Sequence, residues 1–558
     1  MKRLIWMYAA LFLAAAQAGI VEETHSRPVL AATTEVAPLA EINRKLKMLG
    51  TLVNNPIVPM ALAPAIQSAI KEGMGELRPE AAIQIRTYVY QPAWQVASTS
   101  EVAYAVEDLM KTEVDYVDPP PAAPCPLVRM EIAAAGLVAL DDYLTQSAEA
   151  DKRERKAMGD EISGFDLFCR LLDESHDPAS EIALRAYARA RMSLDLDKSG
   201  LALDFALEPG PGVKRSPAAG FRLPAGALDG LPDKAPLALA VNDVLWGMCG
   251  DEKAWRTSCE SSALFWDGLV KHVLKKPGGQ KYTPFLEGVS AAIASCLRDT
   301  PFPDPSDWSV CALAFGPRRE PYIVQDGVSS SARQGDAIDA RFLDAVAAAA
   351  ESQWPGRGLA RASAGRLTVD YAAVLDVAAA EAGVKGADRE LAKAKQRVGA
   401  ILGSTTGELA ILPQAGTAHS AIIGPSGLHR PVSQKPTGEA RLADALPEAA
   451  VDRPSCLALL SCYALARDYV LPVAVEFAPK GDQALYRAIV QALPKAGQGS
   501  AVAGAYWARA DGSHRFLLRV TAEELKNYGA VYNVVSVAMT AAPKSRKKRS
   551  QERGNKRK

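Results

Sequence analysis

The sequence predicts an α+β fold in which antiparallel β-hairpins and sheets pack with helices, and three observations carry that prediction. The first is Glu181 to Glu208, where even positions from Ile182 to Leu196 are apolar and the alternation resumes after Lys198-Ser199-Gly200 as Leu201, Leu203, Phe205 and Leu207. A period of two interrupted by a glycine turn is a hairpin with one buried face. The second is Asp511-Gly512, a hairpin turn between the strand-like runs Ala501 to Ala508 and His514 to Val520. The third is helical spacing that recurs between such runs, first at Leu39, Ile42, Leu46 and Leu49.

Taken in order, Gly19 to Pro38 is a polar, threonine-rich lead without periodicity, expected to be flexible. Leu39 to Val53 is a helix stopped by Asn54-Asn55-Pro56, and a second helix runs to about Met74. Ala82 to Tyr90 alternates as a strand, another follows around Trp94 to Ala97, and Asp118-Pro119-Pro120-Pro121 is a stiff spacer. Leu127 to Ile132 is a strand, Leu137 to Leu144 opens a helix, and Ser147 to Glu174 is helical. After the central hairpin, Pro236 to Val241 is a short apolar run that reads as a buried strand. Helices are expected at Ser262 to Lys276 and Thr283 to Arg298, split by Pro277-Gly278-Gly279, and strands at Trp308 to Phe315 and Pro321 to Gln325. Further helices are Ile338 to Ser352, Tyr371 to Gly383 and Asp388 to Leu402. Glu408 to Leu412 and Ser420 to Ile423 form a weaker hairpin, and Val473 to Phe477 reads as a strand. Thr521 with Glu524 is a capping box that opens a final helix.

This order hints at internal duplication. Helix, break, helix, strand occurs at Leu39 to Tyr90 and again at Ser262 to Phe315, and Asp229 to Ala235 is echoed by Asp444 to Ala450. With 558 residues and roughly 150 per domain, about three units are expected. The division is a signal peptide at 1–18, a flexible lead at 19–37, a first α+β unit at 38–250, a second at 258–470, a C-terminal α+β completion at 471–542 and a disordered basic tail at 543–558.

Export is the clearest functional statement. Lys2 and Arg3 precede an apolar run from Leu4 to Ala16 and the small-residue pattern Ala16-Gln17-Ala18, a secretory signal peptide cleaved before Gly19. That run falls short of the ~20 residues of a spanning helix, so the mature chain is expected to be extracytoplasmic, periplasmic or secreted, with no transmembrane helix. Export makes disulfides feasible among the eight cysteines, with Cys249–Cys259, Cys296–Cys311 and Cys456–Cys462 the simplest pairs.

The formal charge is zero, but nine basic residues against Glu552 crowd Lys544 to Lys558. Without the leader's two cations and the tail's excess of eight, the body stands at −10. The tail has no large apolar residues to drive folding. Its cations suit a polyanion such as anionic lipid, envelope polysaccharide or nucleic acid.

Chemistry is hard to find. Ser68 and Lys71 share a helix face, but the partner motifs of penicillin-recognising enzymes are missing. Gly424-Pro425-Ser426-Gly427 has the wrong spacing for a nucleophile elbow. Asp195, Asp197, Ser199 and Gly200 match the start of a calcium loop, yet Ala206 stands where the bidentate glutamate belongs. The six histidines His25, His176, His272, His419, His429 and His514 lack metal-ligand spacing and read as surface residues. No phosphate-binding loop occurs. No catalytic, cofactor-binding or metal residue is therefore assigned. The expectation is a non-enzymatic cell-envelope protein that binds or scaffolds, and the alternative is an exported hydrolase whose site is assembled from distant residues.

Overall fold

A computed structural model describes residues 28–90, 110–118, 125–157, 184–246 (apart from 212, 214, 216, 230, 233 and 234), 251–316 (apart from 277), 320–381, 388–412, 417–426, 438–478 and 483–536 (apart from 498). Its organising element is one antiparallel sheet of 16 strands. In chain order these are β1 (Pro28–Val36), β2 (Ala82–Tyr90), β3 (Met110–Val117), β4 (Val128–Ala133), β5 (Tyr187–Asp197), β6 (Gly200–Pro209), β7 (Leu237–Asn242) and β8 (Trp308–Phe315). They continue with β9 (Pro321–Val328), β10 (Ala360–Ser363), β11 (Arg366–Asp370), β12 (Thr406–Ile411), β13 (Ala418–Pro425), β14 (Cys456–Leu460), β15 (Val502–Ala508) and β16 (His514–Thr521). Across the sheet the order is β10-β11-β12-β13-β9-β8-β7-β14-β15-β16-β6-β5-β4-β1-β2-β3.

That order resolves into five triplets, each a strand, a helical crossover and a hairpin returning beside the first strand. They are β1-β2-β3, β4-β5-β6, β7-β8-β9, β11-β12-β13 and β14-β15-β16, with β10 added at one edge. Neighbouring triplets meet through like edges. Third strands pair at β13–β9 and β16–β6, and first strands pair at β7–β14 and β4–β1. The crossover helices are α1 (Leu39–Leu52) and α2 (Ile57–Met74) in the first triplet and α3 (Ala134–Ala157) in the second. The third has α4 (Glu252–Lys275) and α5 (Thr283–Asp299), and the β11 triplet has α7 (Tyr371–Glu381) and α8 (Asp388–Leu402). Helix α6 (Ala332–Gln353) follows β9, and α9 (Gly438–Ala445) and α10 (Pro447–Val451) follow β13. A terminal helix covers residues 522–536. The sheet runs unbroken across the expected boundaries near 250–258 and 470–471, because β7 pairs with β14 and β14 with β15.

The two faces of the central strands differ in residue size. One is an alanine face, with Ala238, Ala240, Ala312, Ala503 and Ala505 all buried. Small side chains let covering segments approach the backbone closely. Leu442, Leu446 and Ala449 of α9, α10 and their link, together with Leu223, Leu228 and Leu231, complete that core. Trp507, fully buried there, donates its indole N–H to the Asp452 carbonyl at 2.9 Å. On the opposite face, α3 sets Leu137 against Met130, Ala190 and Met192, and α6 sets Leu343 against Leu367 and Ile411.

The central hairpin forms as expected, with Ala190, Met192 and Leu196 buried and Lys198-Ser199 at the turn. Its phase slips at the start, where a bulge between Tyr187 and Arg189 buries Tyr187 and exposes Ala188. Gly200 is required at the turn's end, since a Cβ there would meet the Val520 carbonyl at 2.0 Å and φ is +133°.

Several expectations are corrected. Residues 28–36, assigned to the flexible lead, form β1 inside the sheet; their short Ala-Thr run has no strong alternation to announce it. Strands β3, β10, β11 and β14 were not expected, and Met110–Val117 is charged because it lies at the sheet's edge. Val473 to Phe477 is not a strand: Leu471–Phe477 is helical and ends a continuous helical run from Cys462, in which a π segment, Ala466–Val470, lies just before Pro472. Among the described residues, Cys125, Cys296, Cys311, Cys456 and Cys462 form no disulfide. Cys456 starts β14 and Cys462 lies beyond its end, so about 20 Å of extended chain separates them, far outside disulfide reach. The proposed Cys296–Cys311 bond is likewise not formed, and Cys249 lies outside the described residues, as do Cys169, Trp94 to Ala97 and the tail.

Candidate functional site

Between α3 and α6 the second face carries a continuous row of paired residues. His419 stands opposite Gly327, Gly327 opposite Ser309, and Ser309 opposite Val241. The row goes on through Cys456, Tyr506, Phe516 and Phe205. Eight strands at ~4.8 Å spacing give it a length of about 34 Å. The flanking rows are apolar too, and many of these side chains are only half-buried. Leu237 and Phe516 retain 36% and 38% of their exposure, and Leu239, Leu313, Leu518 and Leu203 are intermediate.

The β13 end is polar. A Cβ on Gly327 would lie 2.3 Å from Cε1 of His419 and 2.5 Å from the Trp308 carbonyl, so the imidazole rests on bare β9 backbone. Asp243, the first residue after β7, accepts the Ser309 hydroxyl at 2.8 Å. Burial pushes its carboxyl up, while the Ser309 bond and nearby His419 oppose the shift. Asp336 and Asp339, in the early turns of α6, are also raised by burial, with His419 opposing in both cases. Asp307 fixes the link into α6, accepting the Ser330 amide at 2.8 Å and the Ser329 and Ser330 hydroxyls at 3.2 Å each. Three carboxyl groups, an imidazole and a hydroxyl thus converge from β7, β8, β13 and α6.

The middle and far end are neutral and aromatic. Burial raises the Cys456 thiol to about 11. Tyr506 and His514 share a hydrogen bond of 2.6 Å from Oη to Nδ1, and their rings stack at 5.8 Å and 15°. Tyr187 meets His514 edge-on at 5.7 Å. Burial raises the Tyr506 hydroxyl and lowers the His514 imidazole, so both favour their uncharged forms.

Neither Ser309 nor Cys456 is activated as a nucleophile here. Ser309 donates its hydroxyl hydrogen bond to a carboxyl instead of an imidazole, and a thiol held this high carries almost no thiolate at neutral pH. The other residues weighed from sequence do not join the site. Ser68 donates to Glu72 at 3.1 Å on the exposed side of α2. Asp197 accepts from the Ser199 amide at 2.7 Å, and Asp195 pairs with Lys45, so the calcium-like stretch is an ordinary turn. Ser426 contacts Glu408 at 3.4 Å. Among the described residues no group of three or more His, Cys, Asp or Glu has metal-holding geometry.

His419 and His514 were read as surface histidines, and the structure corrects that reading: both are partly buried on strands facing this row. No local signal could reveal His419, whose platform Gly327 lies on a different strand. His514 could have been suspected from its place in a strongly alternating strand. No family model, curated protein or solved structure matches this chain.

Proposed function

We propose that this chain is an exported, non-enzymatic protein of the cell envelope that binds or scaffolds, using the long half-open row of the sheet as its contact surface. The observation that carries the reading is the shape of that surface, a row about 34 Å long at ~4.8 Å per strand, with polar groups at one end and aromatics at the other. Apolar patches that remain partly open on a large sheet favour an extended partner over a small substrate. We also read the five-fold recurrence of strand, crossover and hairpin as internal repetition. The shared order of helix, break, helix and strand in the segments 39–90 and 262–315 supports that reading.

Titration with anilinonaphthalene sulfonate tests the surface. The native protein should give a saturable fluorescence signal that Phe516→Glu lowers several-fold without moving the melting temperature. Absence of signal from the native parent removes the reading. Export is tested by mass spectrometry of the envelope fraction, where the mature chain should begin at Gly19.

The convergence of Asp243, Asp336, Asp339, Ser309 and His419 favours a second reading, an exported hydrolase. Turnover of a generic ester, peptide or glycoside that disappears in a folded Asp243→Asn variant would select it over the first.

A further inference from the structure

At the α1–α2 corner the molecule presents a second, unrelated surface. Helix α2 contains no buried residue, and from Ile57 to Ile70 it carries no charge. Ala63 and Ile66 pack towards α1, while Ile57, Met60 and Leu62 on its outer side are 58%, 73% and 43% exposed. The terminal helix adjoins this corner: Gly529 lies so close to the Val53 carbonyl that a Cβ would meet it at 1.7 Å, and Asn533 donates to the Asn54 carbonyl at 3.3 Å. That helix adds Tyr532 and Val535, 53% and 39% exposed, whereas Tyr528 one turn earlier directs its hydroxyl to Glu524 and Cys462.

Exposed apolar helices alone could serve many partners. The chain beyond residue 536 decides among them, because it leads within a few residues into the nine cations of Lys544 to Lys558. A weak apolar contact combined with a polybasic run is the two-signal arrangement that holds proteins to anionic bilayers. Tyr532 at the contact suits the headgroup level, where the ring is apolar and the hydroxyl wet.

We propose that this corner docks on an anionic phospholipid surface, with the outer side of α2 and Tyr532 entering the headgroup layer. The proposal deepens the polyanion reading of the tail and rests on it for half of the attraction. It is independent of the sheet row.

Co-sedimentation of the full chain with phosphatidylglycerol vesicles and with phosphatidylcholine vesicles tests it at moderate salt. The parent should pellet with the first and stay in solution with the second. The double variant Ile57→Asp, Met60→Asp should lose about tenfold in vesicle affinity at an unchanged melting temperature, and truncation after Pro543 should lose at least as much. Parent-like binding by the double variant would overturn the proposal and leave a tail that adheres to any polyanion, short DNA duplexes included. Parent-like binding by the truncated chain, or none by the parent, would overturn it as well.

Discussion

Asp339 lies in the early turns of α6, at a solvent-exposed position crowded by surrounding protein, with Asp336 and His419 as its titratable neighbours. Burial raises its carboxyl above the ordinary value, Asp336 adds to the shift and His419 opposes it. A group whose folded value is raised contributes stability that is fully present below its unfolded value, near ~3.9, and is lost as pH rises through the folded one. At neutral pH the ionised form therefore works against the fold. Asp339→Asn should raise the melting temperature at pH ~7.5, and the gain should shrink to nothing below pH ~3.9. Thermal melts across that window check it. A constant gain at all pH values would mean that packing, not charge, is responsible. None of this was legible beforehand. Asp243, Asp336 and Asp339 look like any other acids in a linear sequence, and only the crossing of β7, β13 and α6 brings them near one another.

The elements were easier to read than their neighbours. The hairpin from Tyr187 to Pro209 and the pair β15–β16 follow directly from alternation and turn residues. Strand β1 was hidden because Thr33, Thr34 and Ala32 sit between two other strands, where pairing supplies what side-chain pattern does not. The capping box at Thr521 shows a half-success of another kind. Thr521 does accept the Glu524 amide at 3.3 Å, but the Glu524 carboxylate turns away from the helix. It accepts the Tyr463 amide at 2.9 Å and the hydroxyls of Ser461 and Ser500, at a fully buried position. One side chain thus ties the terminal helix to the far ends of β14 and β15. Glu524→Ala strands several buried donors and should cost about 3 kcal/mol in denaturant unfolding. Hydrogen exchange should quicken along residues 522–536 first. A loss below ~0.5 kcal/mol would mean that water satisfies these donors.

At the scale of the molecule, the mixed α+β class and the antiparallel pairing were predictable from local pattern, while the strand order was not. Like-edge joining places β6 beside β16 and β7 beside β14, partners separated by hundreds of residues that no periodicity connects. Residues 28–250 therefore expose the full β6 edge when made alone, and they should aggregate on expression. Co-expression with residues 251–558 should return them to solution. A monomeric, cooperatively melting 28–250 fragment would show that this region closes its own core.

The position of the β14 triplet also dictates a timetable. Six strands, β1 to β6, lie on one side of it and seven, β7 to β13, on the other, and it supplies the ladder that joins the two groups. It is also made after both of the groups that it joins. Both groups must wait with an open edge until residues 456–521 have been made, and closure then requires contacts of very long sequence separation. Such contacts form slowly. The vulnerable period of this protein's life is the interval before residue 521 arrives, and a chaperone that shields the edges of β6 and β7 would act on that interval alone.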